Sequence, residues 1–70
     1  MIEKYIGLED GKTYYIVYGA LGEEAIRMVN RRLKVSKMQL KARIGYVFED
    51  RLYWEQINKK AQQAWVIWKE

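Results

Sequence analysis

Residues 25–48 carry seven basic side chains (Arg27, Arg31, Arg32, Lys34, Lys37, Lys41 and Arg43) and no acid. Guanidinium and ammonium groups at this density suit phosphate oxygens or an acidic protein face, through charge-assisted hydrogen bonds. The flanks do not share the bias. Residues 1–24 hold two basic and five acidic side chains, and residues 49–70 hold four of each. The formal net charge of +4 therefore divides into −3, +7 and 0 along the chain. A solvated helical surface usually interleaves signs so that residues one turn apart pair. An acid-free run cannot do that, and the asymmetry points to an anionic partner.

Catalytic chemistry has little material. There is no His and no Cys, and Ser36 and Thr13 are the single Ser and the single Thr. Familiar nucleophile–base pairs cannot be assembled from these residues, nor can a disulfide or a His/Cys metal site. The acidic pairs Glu9-Asp10, Glu23-Glu24 and Glu49-Asp50 fall at expected turns or helix starts, where acids serve structure. The chain reads as a binding protein rather than an enzyme, with no catalytic residue, cofactor or metal. Tyr14, Tyr15 and Tyr18 are a candidate stacking platform for single strands, although tyrosines in a hairpin more commonly serve core or interface. Gly19-Ala20-Leu21-Gly22 has a GxxG shape, but it links a strand to a helix instead of joining two helices, which argues against a KH loop.

The elements that must position these cations belong to one domain spanning residues 1–70. A chain this short is marginal by itself and leans on large apolar side chains; three Trp, six Tyr and one Phe supply them. A homodimer is the other route to stability. Glu3 and Lys4 break any export signal at the start, and the apolar run at 64–68 is too short to cross a bilayer. A cytoplasmic protein with no membrane partner is expected.

Residues 2–8 and 13–18, rich in Ile, Val and Tyr, flank Glu9-Asp10-Gly11-Lys12 and predict a β-hairpin. Asp10-Gly11 suits a type I′ two-residue turn, in which both residues take positive φ. That register pairs Glu9 with Lys12 and Ile6 with Tyr15. Ile2, Ile6, Leu8, Tyr15 and Val17 then share one face, and Tyr5, Tyr14, Ile16 and Tyr18 share the other. Two apolar faces are more than a solvated hairpin needs, so one should meet the core and the other a helix or a second subunit.

A helix is expected from Glu23-Glu24, with Ala25 or Ile26, Val29 and Leu33 as its buried stripe. Residues 35–40, Val-Ser-Lys-Met-Gln-Leu, carry a helix-start signature. Ser36 and Gln39 form a capping box, Val35 and Leu40 a hydrophobic staple. A second helix over 36–44 would bury Leu40 and Ile44 and stop at Gly45. Leu40, Ala42, Ile44, Tyr46 and Phe48 also alternate as a strand would. The helix is preferred because its cap and interior agree. From Asp50 as N-cap, residues 50–69 read as a long amphipathic helix, with a strand at Trp65-Val66-Ile67-Trp68 as the other reading.

Residues 29–44, Val-Asn-Arg-Arg-Leu-Lys-Val-Ser-Lys-Met-Gln-Leu-Lys-Ala-Arg-Ile, resemble bacterial helix-turn-helix segments. The pattern is similar to the carboxy-terminal region of ImmA/IrrE-type proteins and of small phage and mobile-element regulators. The likeness covers about a quarter of the chain. It departs at Asn30, where those segments place a buried Ala, and at Lys34, where their turn places Gly. The zinc-peptidase motif HExxH is absent, so that activity is not implied. What the resemblance implies is duplex DNA binding, possible as a dimer on a two-fold site. The 36–44 helix would enter the major groove, with Ser36 at its start and Lys37, Met38 and Lys41 toward base edges. Arg27, Arg31, Arg32, Lys34 and Arg43 would hold phosphates.

The expected fold is thus α+β: an N-terminal β-hairpin, a helix-turn-helix and a long C-terminal amphipathic helix. The alternative is a strand at 40–48 in a small sheet backed by helices. The expected function is DNA binding by a small regulator of transcription or a recombination accessory protein. Its rival is a phage-type inhibitor or adaptor docking its basic face on an acidic protein partner.

Overall fold

The computed structural model describes residues 2–7 and 10–70. Five strands and one helix follow in the order β1 (Ile2–Ile6), β2 (Thr13–Val17), α1 (Gly22–Leu33), β3 (Leu40–Phe48), β4 (Arg51–Tyr53) and β5 (Gln62–Lys69), with a 3₁₀ turn at Lys37–Gln39 before β3. The strands form one antiparallel sheet in the order β1-β2-β5-β3-β4. It curls into a half-barrel. The last strand in sequence lies at the centre and joins the hairpin to the β3–β4 pair.

β1 and β2 pair as Ile2 with Val17, Tyr5 with Tyr14 and Ile6 with Thr13, two residues out of the expected register. A shift of two preserves the faces. Ile2, Tyr15 and Val17 pack toward α1, while Tyr5, Tyr14, Ile16 and Tyr18 line the opposite side. The register moves because the reversal runs from Gly7 to Lys12, whose backbone groups bond at 2.8 Å. Gly11 has φ 69°, and a reversal that spans Gly7 to Lys12 is longer than the two-residue loop of a type I′ turn. The Asp10 carboxylate is engaged instead, accepting from the Lys12 N–H at 2.9 Å and the Tyr14 hydroxyl at 2.6 Å. Leu8, Glu9 and hence the expected Glu9–Lys12 pair lie outside the described residues.

α1 begins one residue before its acidic pair, buries Ala25 and Val29 completely, and carries Arg31 and Arg32 in its last turn. Acids at the start and bases at the end both complement the helix dipole. It closes on Lys34, left-handed at φ 57°, whose N–H donates to the Asn30 carbonyl at 2.8 Å. The Asn30 side-chain amide donates to the Val35 carbonyl. Asn30 and Lys34, the two departures from the helix-turn-helix pattern, together build this helix end.

The second helix of the expected pair does not form. Ser36 does start a turn: its hydroxyl accepts from the Met38 N–H at 3.2 Å and its carbonyl from the Gln39 N–H at 3.0 Å. The turn lasts three residues, and then β3 pairs with β5 over eight positions, from Leu40 opposite Lys69 to Val47 opposite Gln62. Leu40, the expected staple residue, is buried against α1 as the first residue of a strand. The strand alternative for 40–48 is therefore what forms, in a five-stranded sheet backed by a single helix. A capping box stabilises a helix end by about 1 kcal/mol, and a strand that gains a partner along its whole length outweighs it.

The long C-terminal helix is also absent. Asp50 is no N-cap: with Glu49 it forms the two-residue turn between Phe48 and Arg51, at φ 63° and 50° respectively. Residues 54–61 form a loop in which Asn58 Oδ1 accepts from the N–H groups of Lys60 and Ala61 at 2.8 and 2.9 Å. In β5, Ala64, Val66 and Ile67 are buried and the flanking Trp65 and Trp68 half-buried. A strand covered on both faces is apolar almost throughout, so it shows no alternation against which a helical stripe could fail.

The core has two layers, one on each face of the sheet. Val17, Ala25, Val29, Leu40 and Ile67 fill the space under α1, flanked by Tyr15, Leu33, Val35 and Trp65. On the concave side lie Tyr14, Ile16, Ala64 and Val66, flanked by Tyr5, Tyr18, Leu52, Trp54 and Trp68. Gly45 sits opposite Ala64 in the ladder, and a Cβ at Gly45 would stand 2.6 Å from a Val66 methyl. This pair of small residues lets β3 bend inward, which brings the concave rings together.

Candidate functional site

The two sides of the sheet divide the expected site residues. Arg27, Arg31, Arg32 and Lys34 are exposed on α1 and its cap. At 100° per residue, Arg27 and Arg31 fall within about 40° of each other, one turn apart, and Lys34 stands just past the end of the helix. Arg32 stands beside Met28 and Ile2. The single ion pair among the described residues joins Lys41 Nζ to Glu70 Oε2 at 3.3 Å, so the four α1 cations have no acidic partner there. Glu24 lines the same shallow depression as Arg27, Met28 and Arg31, without closing an ion pair.

The remaining expected residues lie elsewhere. Leu40 and Ala42 of β3 face α1, so the alternate residues Lys41 and Arg43 face the concave side. The Arg43 guanidinium stacks over Trp54 at 4.7 Å from the ring centroid, in the range of a cation–π contact. Ser36 is exposed with its hydroxyl already accepting a backbone proton, and Met38 is 90 % exposed. The side chain of Lys37 lies outside the described residues. Lys37, Met38 and Lys41 are thus not presented on a groove-reading helix: 37–39 is one 3₁₀ turn and 41 belongs to a strand.

The concave side is an aromatic site that composition announced without locating. Tyr14, Trp54 and Trp68 meet edge-to-face with centroids 5.6–5.9 Å apart, the arrangement that ring quadrupoles favour. Beside them Glu3 accepts the hydroxyls of Tyr5 at 3.2 Å and Tyr18 at 2.9 Å. Burial, reinforced by Glu3, raises the pKa of both phenols. Tyr14 is raised as well, first by its bond to Asp10 and then by burial, and the same bond lowers Asp10. In the expected 50–69 helix Trp54 and Trp68 would stand about 21 Å apart along the axis, which hides their meeting with Tyr14. Pairing β5 with both β2 and β3 is what brings them together.

No helix among the described residues is long and apolar enough to cross a membrane. The chain matches no protein-family model, no curated protein and no solved structure.

Proposed function

We propose that the chain is a binding protein, not an enzyme, and that it holds nucleic acid by its phosphates along the outer face of α1. The observation carrying this reading is the group of Arg27, Arg31 and Arg32 on α1 with Lys34 at its cap, exposed and free of acidic partners among the described residues. Without a helix to enter the major groove, contacts are to the backbone. Binding is then tolerant of sequence and weak, with a Kd of about 10⁻⁴–10⁻⁶ M at physiological salt. A cytoplasmic role in regulation or recombination fits that chemistry.

Titration of duplex and of single-stranded DNA across a salt series tests it. Four phosphate contacts give a log–log slope of about −3.6 on duplex, and Arg27→Ala/Arg31→Ala reduces its magnitude by about 2. Lys41→Ala/Arg43→Ala, on the other side of the sheet, leaves the slope unchanged. Absence of binding to either form at low salt defeats the proposal.

One observation favours an acidic protein as partner instead. Half-buried Met28 lies among Arg27, Arg31 and Arg32, and Met and Arg together are enriched at protein interfaces. Met28→Ala separates the two readings: phosphate binding survives it, whereas an interface centred on Met28 weakens about tenfold or more.

A further inference from the structure

A cleft of about 300 Å³ opens between the β1–β2 hairpin and β4. Ile6, Asp10 and Tyr14 line it from the hairpin; Arg51, Tyr53 and Trp54 line it from β4 and the residue that follows. Such a cleft, apolar with a few polar groups, is the usual form of a small-ligand site. Its walls are already set. Trp54 is held edge-on by Tyr14 and Trp68 and capped by Arg43.

The polar groups are specific in kind. Asp10 offers two carboxylate oxygens, each accepting one internal hydrogen bond and each keeping a second lone pair. Gly7 makes that placement possible, because a Cβ there would stand 2.4 Å from Asp10 Oδ1 and 2.9 Å from the Tyr14 ring. Tyr14 and the Lys12 N–H keep the carboxylate in its charged form. Arg51 is exposed, and no ion pair joins it to Asp10 or to any other described acid.

We propose that this cleft binds a guanine nucleotide, its base against the Tyr14 and Trp54 walls and its phosphate at Arg51. A carboxylate only accepts hydrogen bonds, so it selects a base edge with adjacent donors. Guanine alone among the four common bases has two, N1–H and N2–H. Adenine and cytosine each set an amino group beside a ring acceptor, and uracil sets one N–H between two carbonyls. Unstacked bases are read in this way, by aromatic contact and by hydrogen bonds to the Watson–Crick edge. The ligand is a free nucleotide or an unpaired guanine of a single strand. The site lies apart from the α1 cations and does not depend on them.

Tryptophan fluorescence, with Trp54 in the wall as reporter, tests the assignment by titration with GMP, AMP, CMP, UMP and guanosine. The expected result is GMP binding at least tenfold tighter than the other three nucleotides. Asp10→Asn removes that preference, since an amide offers one donor and one acceptor while still accepting the Lys12 N–H. Arg51→Ala, on an exposed strand position, removes the advantage of GMP over guanosine and provides a readout independent of the hairpin turn. A single-stranded oligonucleotide with one guanine distinguishes the sources: tighter binding than GMP assigns a strand, weaker binding a free nucleotide. Equal affinity for the four nucleotides, or a guanine preference unchanged in Asp10→Asn, overturns the proposal. Arg27→Ala/Arg31→Ala leaves GMP binding intact, so failure here and failure of the phosphate-binding face are told apart.

Discussion

Replacing the β3–β4 turn by Asn-Gly, in the double variant Glu49→Asn/Asp50→Gly, should stabilise the protein. Both residues occupy the left-handed region, at φ 50° and 63°, with Phe48 and Arg51 paired across them. That is a type I′ turn, whose central positions favour Asn and Gly. Left-handed backbone costs an ordinary L-residue about 1–2 kcal/mol. Glu49, with its long side chain, bears most of that cost; Asp50, whose short side chain tolerates the region, bears less. Against the relief stands the entropy of a new glycine, about 0.5–1 kcal/mol. The net gain is about 1 kcal/mol, which for a chain of this size raises Tm by roughly 4–8 °C. Thermal unfolding followed by circular dichroism, with urea titration as a check on the slope m, measures it. A helix starting at Asp50 predicts the opposite sign, because glycine is a slightly poorer N-cap than aspartate. An unchanged or lower Tm would refute the turn and the strand assignment that rests on it.

Other substitutions probe the curl, the aromatic layer and the abandoned helix start. Gly45→Ala should cost about 1–3 kcal/mol by overpacking, since the new methyl meets Val66 inside van der Waals contact; unaltered urea stability would contradict the close approach of β3 and β5. Ser36→Ala should cost only a few tenths of a kcal/mol, because the hydroxyl caps a three-residue exposed turn, whereas loss of a helix N-cap costs about 1 kcal/mol. Alkaline titration should unfold the protein above pH 10. Tyr5, Tyr14 and Tyr18 all have raised pKa values, so their contribution is intact below the ordinary tyrosine value and is lost as pH rises toward the folded one. Of the six phenols, three should ionise only together with the loss of the circular dichroism signal; ionisation of all six well before unfolding would contradict the burial of Tyr5, Tyr14 and Tyr18. In Trp54→Ala the loss of two edge-to-face contacts and the Arg43 stack should lower stability by about 3 kcal/mol or more and shift the emission of Trp68, its ring neighbour.

Much of the chain was legible one element at a time. The two faces of the hairpin and the stripe of α1 with its charged ends follow from side-chain period, which neighbouring residues decide among themselves; the cap at Ser36 was read as the start of a helix and begins only a three-residue turn. The hairpin register was not legible, because the Asp10 carboxylate found Tyr14, and the resulting turn differs from the one that Asp-Gly usually makes. The site was legible as charge and illegible as surface. Seven cations in a row read as one patch, yet alternation along β3 carries Lys41 and Arg43 to the far side of the sheet from α1.

The sequence by itself therefore determined a small domain short of catalytic side chains, with a basic middle third and more aromatic surface than one hairpin face can use. The tertiary structure decided between helix and strand for 40–48 and 50–69, and the reason is physical. A helix satisfies its backbone within the segment, so its signals are local and visible. β3 and β5 satisfy theirs in each other, and neither strand shows its partner in its own residues. That pairing removes the groove-reading helix, leaves the α1 cations exposed on one side of the sheet, and assembles around Trp54 the cleft that Asp10 and Arg51 line.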